Sequence, residues 1–148
     1  MKRIFFLLFI LILFVSCSRK IEVFKKYDFN SGDYELYGII TMGTTTEFTE
    51  KVGEFRIKDI TTLESMQSEW VLNTTDRRML CGYSYDLYLM KADSCINQFS
   101  VNLECEYLTF DNVEEWYNFP AELLQKYEKS MIKLSKEESQ EIRGKINF

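Results

Sequence analysis

The alternation of apolar and polar residues is clearest between residues 80 and 110, where it predicts two strands. Within the ranges 80–90 and 95–110, apolar side chains occupy the odd positions from 81 to 89 and from 99 to 107, and the even positions from 98 to 106 are polar. A period of two predicts strands with one face in a core and the other in water. We therefore expect an antiparallel hairpin that turns at Ala92, Asp93 and Ser94.

The register of this hairpin predicts a disulfide bond. If Lys91 lies opposite Cys95, then Cys81 lies opposite Cys105, and directly opposed Cα atoms are about 4.5–5.5 Å apart, within disulfide range. Two registers keep the apolar faces together, so buried free thiols remain the alternative to a Cys81–Cys105 bridge. Cys95 is left without a partner. No metal is expected, because these cysteines lack the short CxxC pair typical of zinc sites.

The remaining pattern predicts further strands and two helices. Residues 34–42 (YELYGIITM) predict a strand, 43–46 a turn, and 47–58 a returning strand that changes face at Gly53. Thr61 and Glu64 have the spacing of a capping box and predict a helix that ends near Trp70, a core anchor. Residues 71–79 are expected to form a loop.

Pro120 is expected to open a second helix with an apolar stripe that reaches Leu134. Ser135 and Glu138 form another capping box, so this helix is expected to break or restart there, and the charged tail 136–148 to pack loosely. The predicted fold is α+β, with an antiparallel sheet of about four strands and two helices packed on one face. An alternative with a short extra strand within residues 107–117 is also compatible with the sequence. One domain is expected over residues 27–148.

The N-terminus has the pattern of a cleaved signal peptide. Lys2 and Arg3 precede twelve uninterrupted apolar residues, 4–15. As a helix this run would be about 18 Å long, too short for the ~30 Å hydrocarbon core of a bilayer. A positive start, a short apolar core and a small residue at the end are typical of a signal peptide. A buried core segment is the alternative, but it would show a polar face.

The sequence Leu13-Phe14-Val15-Ser16-Cys17 resembles the lipobox of bacterial lipoproteins, in the looser form found in Bacteroidota, although Phe14 departs from the usual residue. The resemblance covers only the first 17 residues, and the domain that follows is assigned to no family. It implies cleavage between Ser16 and Cys17, lipidation of Cys17, and a lipidated tether over residues 17–26. Ser18 follows the cysteine where an Asp would retain a lipoprotein at the inner membrane, so the resemblance implies anchoring to the cell envelope at the outer membrane.

Charge and composition exclude several classes of partner and activity. Cleavage would remove 16 of 148 residues, leaving 132, and would take Lys2 and Arg3 with it, which changes the formal net charge from −5 to −7. This acidity argues against nucleic acid as a partner and against a polybasic membrane patch. It is compatible with a basic protein partner, and also with solubility alone. The chain has no histidine and no nucleotide-binding motif, so neither enzymatic activity nor a cofactor is expected.

Two places are candidates for an interaction surface. One is the loop with Asp76, Arg77 and Arg78, and the other is the polar strand face with Gln98, Asn102 and Glu104. We expect a non-catalytic protein-binding lipoprotein, such as an immunity-type factor that binds a delivered toxin. The alternative is a glycan-binding or envelope-assembly lipoprotein, with Tyr88 and Tyr117 stacking on sugar rings. A hydrolase that uses carboxylates alone is the least favoured hypothesis.

Overall fold

The computed structural model describes residues 19–41, 45–76, 81–111 and 113–146. Within these ranges the chain forms one nine-stranded sheet in the order β1-β4-β8-β7-β6-β5-β2-β3-β9, with every neighbouring pair antiparallel. The strands are β1 (Lys20–Glu22), β2 (Tyr34–Ile40), β3 (Phe55–Ile57), β4 (Val71–Thr75), β5 (Tyr85–Lys91), β6 (Ser94–Asn102), β7 (Tyr107–Phe110), β8 (Trp116–Asn118) and β9 (Ile132–Lys133). The prediction of about four strands is therefore wrong.

Four α-helices lie in the described ranges: α1 (Glu47–Val52), α2 (Ile60–Glu69), α3 (Glu122–Gln125) and α4 (Lys136–Ile146). Short 3₁₀ turns occupy Phe29–Ser31 and Glu128–Ser130. None of the described helices is long and apolar enough to cross a bilayer.

Both faces of the sheet carry a core, so the prediction that the helices pack on one face is wrong. The larger cluster includes Leu87 and Phe99 from the sheet with Leu63 from α2. The second cluster places Tyr88 of β5 against Ile142 of α4. Because successive residues of a strand point to opposite faces, a strand covered on both sides is apolar at consecutive positions. β5, with Leu87 to Met90 all buried, is such a strand.

The predicted hairpin register is confirmed over most of β5 and β6. Leu87 pairs with Phe99 and Leu89 with Asn97. A bulge between Leu89 and Met90 then shifts the pairing, so Lys91 lies opposite Ser94 and not opposite Cys95. A bulge adds one residue to one strand, a change that alternation alone does not reveal.

The strand predicted over 95–110 is interrupted. β6 ends at Asn102, residues 103–106 form a turn, and β7 returns antiparallel with Tyr107 opposite Asn102. Glu106 has a φ of 53°, the left-handed conformation of a tight turn. The Asn102 side chain accepts hydrogen bonds from the backbone of the turn, and this local bonding by asparagine is what favours a turn over a continued strand.

The Cys81–Cys105 disulfide is confirmed, with Cα atoms 6.6 Å apart. Both cysteines lie outside the strands. Residues 81–84, here called the crossing segment, lead into β5, which is separated from β4 in the sheet order by β8, β7 and β6. Tyr107 donates its hydroxyl to the carbonyl oxygens of Cys81 and Gly82. The disulfide and these hydrogen bonds hold the end of the crossing segment against the β6–β7 turn.

The returning strand predicted over 47–58 is wrong in its first half, which is helix α1. Thr46 caps this helix, with its side chain accepting from the Thr49 N–H and the Thr49 hydroxyl accepting from the Thr46 N–H. Phe48 and Val52, four residues apart, face the core together, which is helical spacing. Gly53, with a φ of 73°, ends the helix and lets β3 begin.

The predicted helix is confirmed as α2, but Asp59 and not Thr61 caps it. An Asp59 carboxylate oxygen accepts a hydrogen bond from the Thr62 N–H at 2.8 Å. Trp70 is fully buried at its end, as predicted, and donates its ring N–H to the Leu123 carbonyl. Residues 71–75, predicted as loop, instead form β4. Three of its five residues, Val71, Thr74 and Thr75, are β-branched and fit a strand in a wider sheet.

The helix predicted from Pro120 is wrong beyond its first turn, because α3 ends at Gln125. The capping box of Ser135 and Glu138 is confirmed at the start of α4, with reciprocal hydrogen bonds of 2.8 and 3.1 Å. The tail expected to pack loosely thus forms α4, which buries Ile142.

The predicted cleavage and lipidation positions, Ser16 and Cys17, lie outside the described residues. The segment expected to be a tether, 17–26, contains β1, and its Val23 and Phe24 are buried in the larger core. Most of the segment expected to be a tether is therefore part of the described fold.

Candidate functional site

A groove of about 630 Å³ opens between β1 and the first half of β6. In the sheet order these two strands are separated by β4, β8 and β7, and side chains of β7 and β8 also line the groove. The sheet therefore curls, so that β1 and β6 form walls and β7 and β8 form the floor. A concave site of this volume is within the range that proteins use to hold ligands or partner side chains.

The floor of the groove is aromatic and rigid. Phe110 of β7 and Tyr117 of β8 contact each other edge to face, with ring centroids 5.9 Å apart at 83°. The Tyr117 ring is buried and its hydroxyl donates to a Glu115 carboxylate oxygen at 2.6 Å. Burial is the main cause that raises the pKa of Tyr117 to about 12, and the Glu115 carboxylate adds to it. The ring thus stays neutral and fixed under the groove.

The two walls are joined at one point. Ile21 and Val23 contribute apolar side chains from the β1 side, and Ile96 contributes one from β6. The Tyr27 hydroxyl donates to the Ile96 carbonyl oxygen at 3.4 Å, which ties the chain after β1 to the opposite wall. This hydrogen bond therefore connects the two walls.

Charged residues line the rim. Lys25 and Glu22 form an ion pair at 2.8 Å on the β1 side, and Lys26 lies next to them. Asp111 and Val113 follow the end of β7, and Val113 is 43% exposed. An apolar floor inside a rim of mixed charge resembles the anatomy of a protein–protein contact, in which an apolar centre is surrounded by polar residues.

The free thiol of Cys95 lies in this groove but is not activated. Although the residue is exposed, burial of the thiol is the largest cause of its raised pKa, and the nearby Asp111 carboxylate raises that pKa further. The thiolate is the reactive form of cysteine, so a raised pKa makes Cys95 a poor nucleophile at neutral pH. The described residues that line the groove thus offer contacts for binding and no activated nucleophile.

The structure does not bring the predicted surface residues together. Gln98 lines the groove, half-buried, while Glu104 is exposed in the β6–β7 turn. Asn102 is completely buried, so its place on a solvated strand face is corrected: its amide bonds the turn and the crossing segment. Asp76 is exposed in a separate depression beside Trp116. Arg77 and Arg78 lie outside the described residues.

The aromatic pair predicted for sugar stacking is also corrected. Tyr88 is buried beneath α4, whereas Tyr117 is part of the groove floor. The two rings belong to different core clusters, so they do not form one stacking surface for a sugar.

The groove could not be predicted from the sequence, because its walls come from distant segments. Ile21 and Val23 alternate with Glu22, a strand pattern that was too short to outweigh the expectation of a tether. Phe110 and Tyr117 meet only because β7 and β8 pair, with Leu108 opposite Tyr117. Short strands of three or four residues carry little periodicity, so no local pattern could have located this site.

No family model, curated protein or solved structure matches this chain. In the part of the chain that is described, no three His, Cys, Asp or Glu side chains gather as a metal site.

Proposed function

We propose that this protein is a lipoprotein anchored to the cell envelope through Cys17, and that it acts as a non-catalytic module that binds a partner protein in the groove between β1 and β6. The observation that carries this proposal is the composition of the groove: an apolar floor of Phe110 and Tyr117 inside a charged rim. Such a site fits an apolar side chain of a partner with charged neighbours at the rim.

The anchor would hold the groove close to a membrane. Arg19 is fixed to the domain, because its N–H donates to the Thr74 hydroxyl at 3.2 Å and its guanidinium pairs with Glu115 at 3.0 Å. Cys17 precedes Arg19 by two residues, a span of at most about 7 Å in an extended chain. A partner would therefore meet the groove at the envelope surface, which is where an immunity-type factor would intercept a toxin that arrives from outside.

The acidic net charge supports a basic partner. A charge of −7 after cleavage would attract a cationic protein over distances of about the Debye length and raise its association rate. Tyr88 and Tyr117 lie in different core clusters, so they do not form the ring pair on which the glycan-binding alternative depended. Glycan binding is therefore kept only as the alternative result of the binding experiment described below.

The anchor is tested by intact mass. The protein is expressed with its own signal in a bacterial host that lipidates lipoproteins and is extracted from membranes. The expected mass is that of the chain from Cys17 onward plus acyl groups, and Cys17→Ser is expected to abolish both processing and the added mass. An uncleaved, unmodified wild-type chain would contradict the anchor.

Groove binding is tested with a matched pair of variants. Val113 and Ile60 are both 43% exposed, but only Val113 lines the groove. The wild-type lipoprotein, Val113→Glu and Ile60→Glu are used as baits in detergent extracts. We expect one stoichiometric basic protein with the wild type and Ile60→Glu, and its loss with Val113→Glu. Retention of envelope glycan without any protein would instead favour the alternative.

A further inference from the structure

The segment at the start of the described domain is basic, whereas the rest of the chain is acidic. Residues 19–26 contain four basic side chains and one acidic residue, Glu22, a net charge of +3. The mature chain would carry −7, so the remaining residues carry −10. The net charge argued against a polybasic membrane patch, but this local distribution revises that expectation: one basic segment begins two residues after the lipidation position.

The structure places these basic side chains at the end of the sheet. β1 is an outermost strand, paired on one side with β4. The Arg19 and Lys25 side chains are 80% and 74% exposed, and Lys20 and Lys26 are exposed as well. Arg19 and Lys25 each pair with a carboxylate, but such exposed pairs are weak and yield readily to another anion.

We propose that this β1 edge, defined as Arg19, Lys20, Lys25 and Lys26, docks on the anionic phospholipid headgroups of the membrane in which Cys17 is anchored. The inference rests on the anchor in the proposed function. Two observations identify the occupant: the edge has the charge that complements an anionic bilayer, and the chain between Cys17 and Arg19 is too short to hold the edge far from that bilayer.

Docking would give the domain a fixed orientation. A single lipid anchor leaves a domain free to rotate, whereas a second, electrostatic contact holds one side at the surface. Since Lys25 and Lys26 also lie on the rim, one wall of the groove would then lie at headgroup level. The partner protein would therefore bind the groove at the membrane surface.

The experiment uses the processed lipoprotein reconstituted into vesicles of phosphatidylcholine alone, or with about a third phosphatidylglycerol. Amide hydrogen exchange of residues 20–26 is measured in both. Each lysine near an anionic surface contributes about 1 kcal/mol, a factor of about five in the docked population, so three contribute roughly a hundredfold. We expect slower exchange in the anionic vesicles, and loss of that protection near 1 M salt, where the Debye length falls to about 3 Å.

The variant Lys20→Gln, Lys25→Gln, Lys26→Gln is expected to exchange equally fast in both vesicles. Arg19 is kept because it also bonds Thr74. The control Lys58→Gln, Lys129→Gln, Lys136→Gln removes the same charge from exposed positions elsewhere and should keep the protection. Equal exchange of the wild type in both vesicles would overturn the docking. Flotation of all three proteins with vesicles reports the lipid anchor separately, so failure of the anchor is distinguished from failure of docking.

Discussion

The side-chain amide of Asn102 donates a hydrogen bond to the carbonyl oxygen of Gly82, 20 residues earlier in the chain. The same side chain accepts hydrogen bonds from the N–H groups of Glu104, at 2.8 Å, and Cys105. One buried residue therefore shapes the β6–β7 turn and fastens the end of the crossing segment to it. The disulfide from Cys81 joins the same two segments.

Replacement of Asn102 by Ala is expected to lower the free energy of unfolding by about 3 kcal/mol, because buried backbone groups lose their partners. Urea unfolding followed by circular dichroism measures this change. Glu104→Ala, in the same turn but exposed, should stay within about 0.5 kcal/mol of the wild type. Similar small effects of both substitutions would argue against the role of Asn102.

Removal of the disulfide is expected to be equally damaging. Cys81 and Cys105 are separated by 24 residues, and a closed loop of this size contributes roughly 3 kcal/mol by restricting the unfolded chain. The double variant Cys81→Ala, Cys105→Ala should therefore unfold at lower urea concentration by a corresponding amount. Cys95→Ser is the control and should unfold like the wild type, since Cys95 carries no disulfide. An unchanged midpoint for the double variant would show that the bridge does not stabilise the fold.

Two substitutions in helix α4 are expected to change the stability of the protein in opposite directions. Ile142→Ala removes the helix residue that is buried in the second cluster and should destabilise by about 2–4 kcal/mol. Gly144 is exposed in the same helix, and a methyl group there meets nothing within 4 Å. Gly144→Ala should therefore stabilise by about 0.5–1 kcal/mol. Thermal unfolding of both variants checks that α4 covers the sheet as described.

Asp86 is expected to give stability a specific pH dependence. Burial is the largest cause of its raised pKa, and the Asp111 carboxylate raises it further, while the Ser100 hydroxyl and Arg143 lower it. A carboxyl group with a raised pKa binds its proton more tightly in the folded state. Its contribution to stability is therefore fully present below the unfolded pKa of about 3.9 and is lost as pH rises through the folded pKa.

The variant Asp86→Asn keeps an oxygen that accepts from Ser100 but does not ionise. We expect it to be more stable than the wild type at neutral pH, with the difference shrinking as pH falls toward about 4. Chemical unfolding of both proteins across this range measures the difference. A constant difference at every pH would mean that ionisation of Asp86 does not affect folding.

The elements that sequence analysis located correctly are those with long, regular patterns. β5 and β6 alternate over several residues, and their register is confirmed between Tyr85 and Leu89. α2 has both a cap and an apolar stripe. Where the pattern was short, the prediction failed: α1 has six residues, and the Thr46 cap that would have revealed it was not recognised.

The number of strands in the sheet and the position of the groove depend on contacts between segments that are distant in the sequence. β1, β4 and β8 contain three to five residues each, and they become strands because they pair with one another. The groove forms where those short strands curl toward β6. Alternation in the sequence describes one strand at a time, so it could not predict how β1, β6, β7 and β8 enclose a groove.

The dissociation constant of the captured partner is the measurement that tests the groove most directly. It is determined by titration calorimetry for the wild-type protein, Val113→Glu and Ile60→Glu. We predict that Val113→Glu weakens binding at least about tenfold, or ~1.4 kcal/mol, because a charge would be placed on the apolar side of the rim. Ile60→Glu should leave the constant unchanged. Equal constants for all three proteins would contradict the assignment of partner binding to this groove.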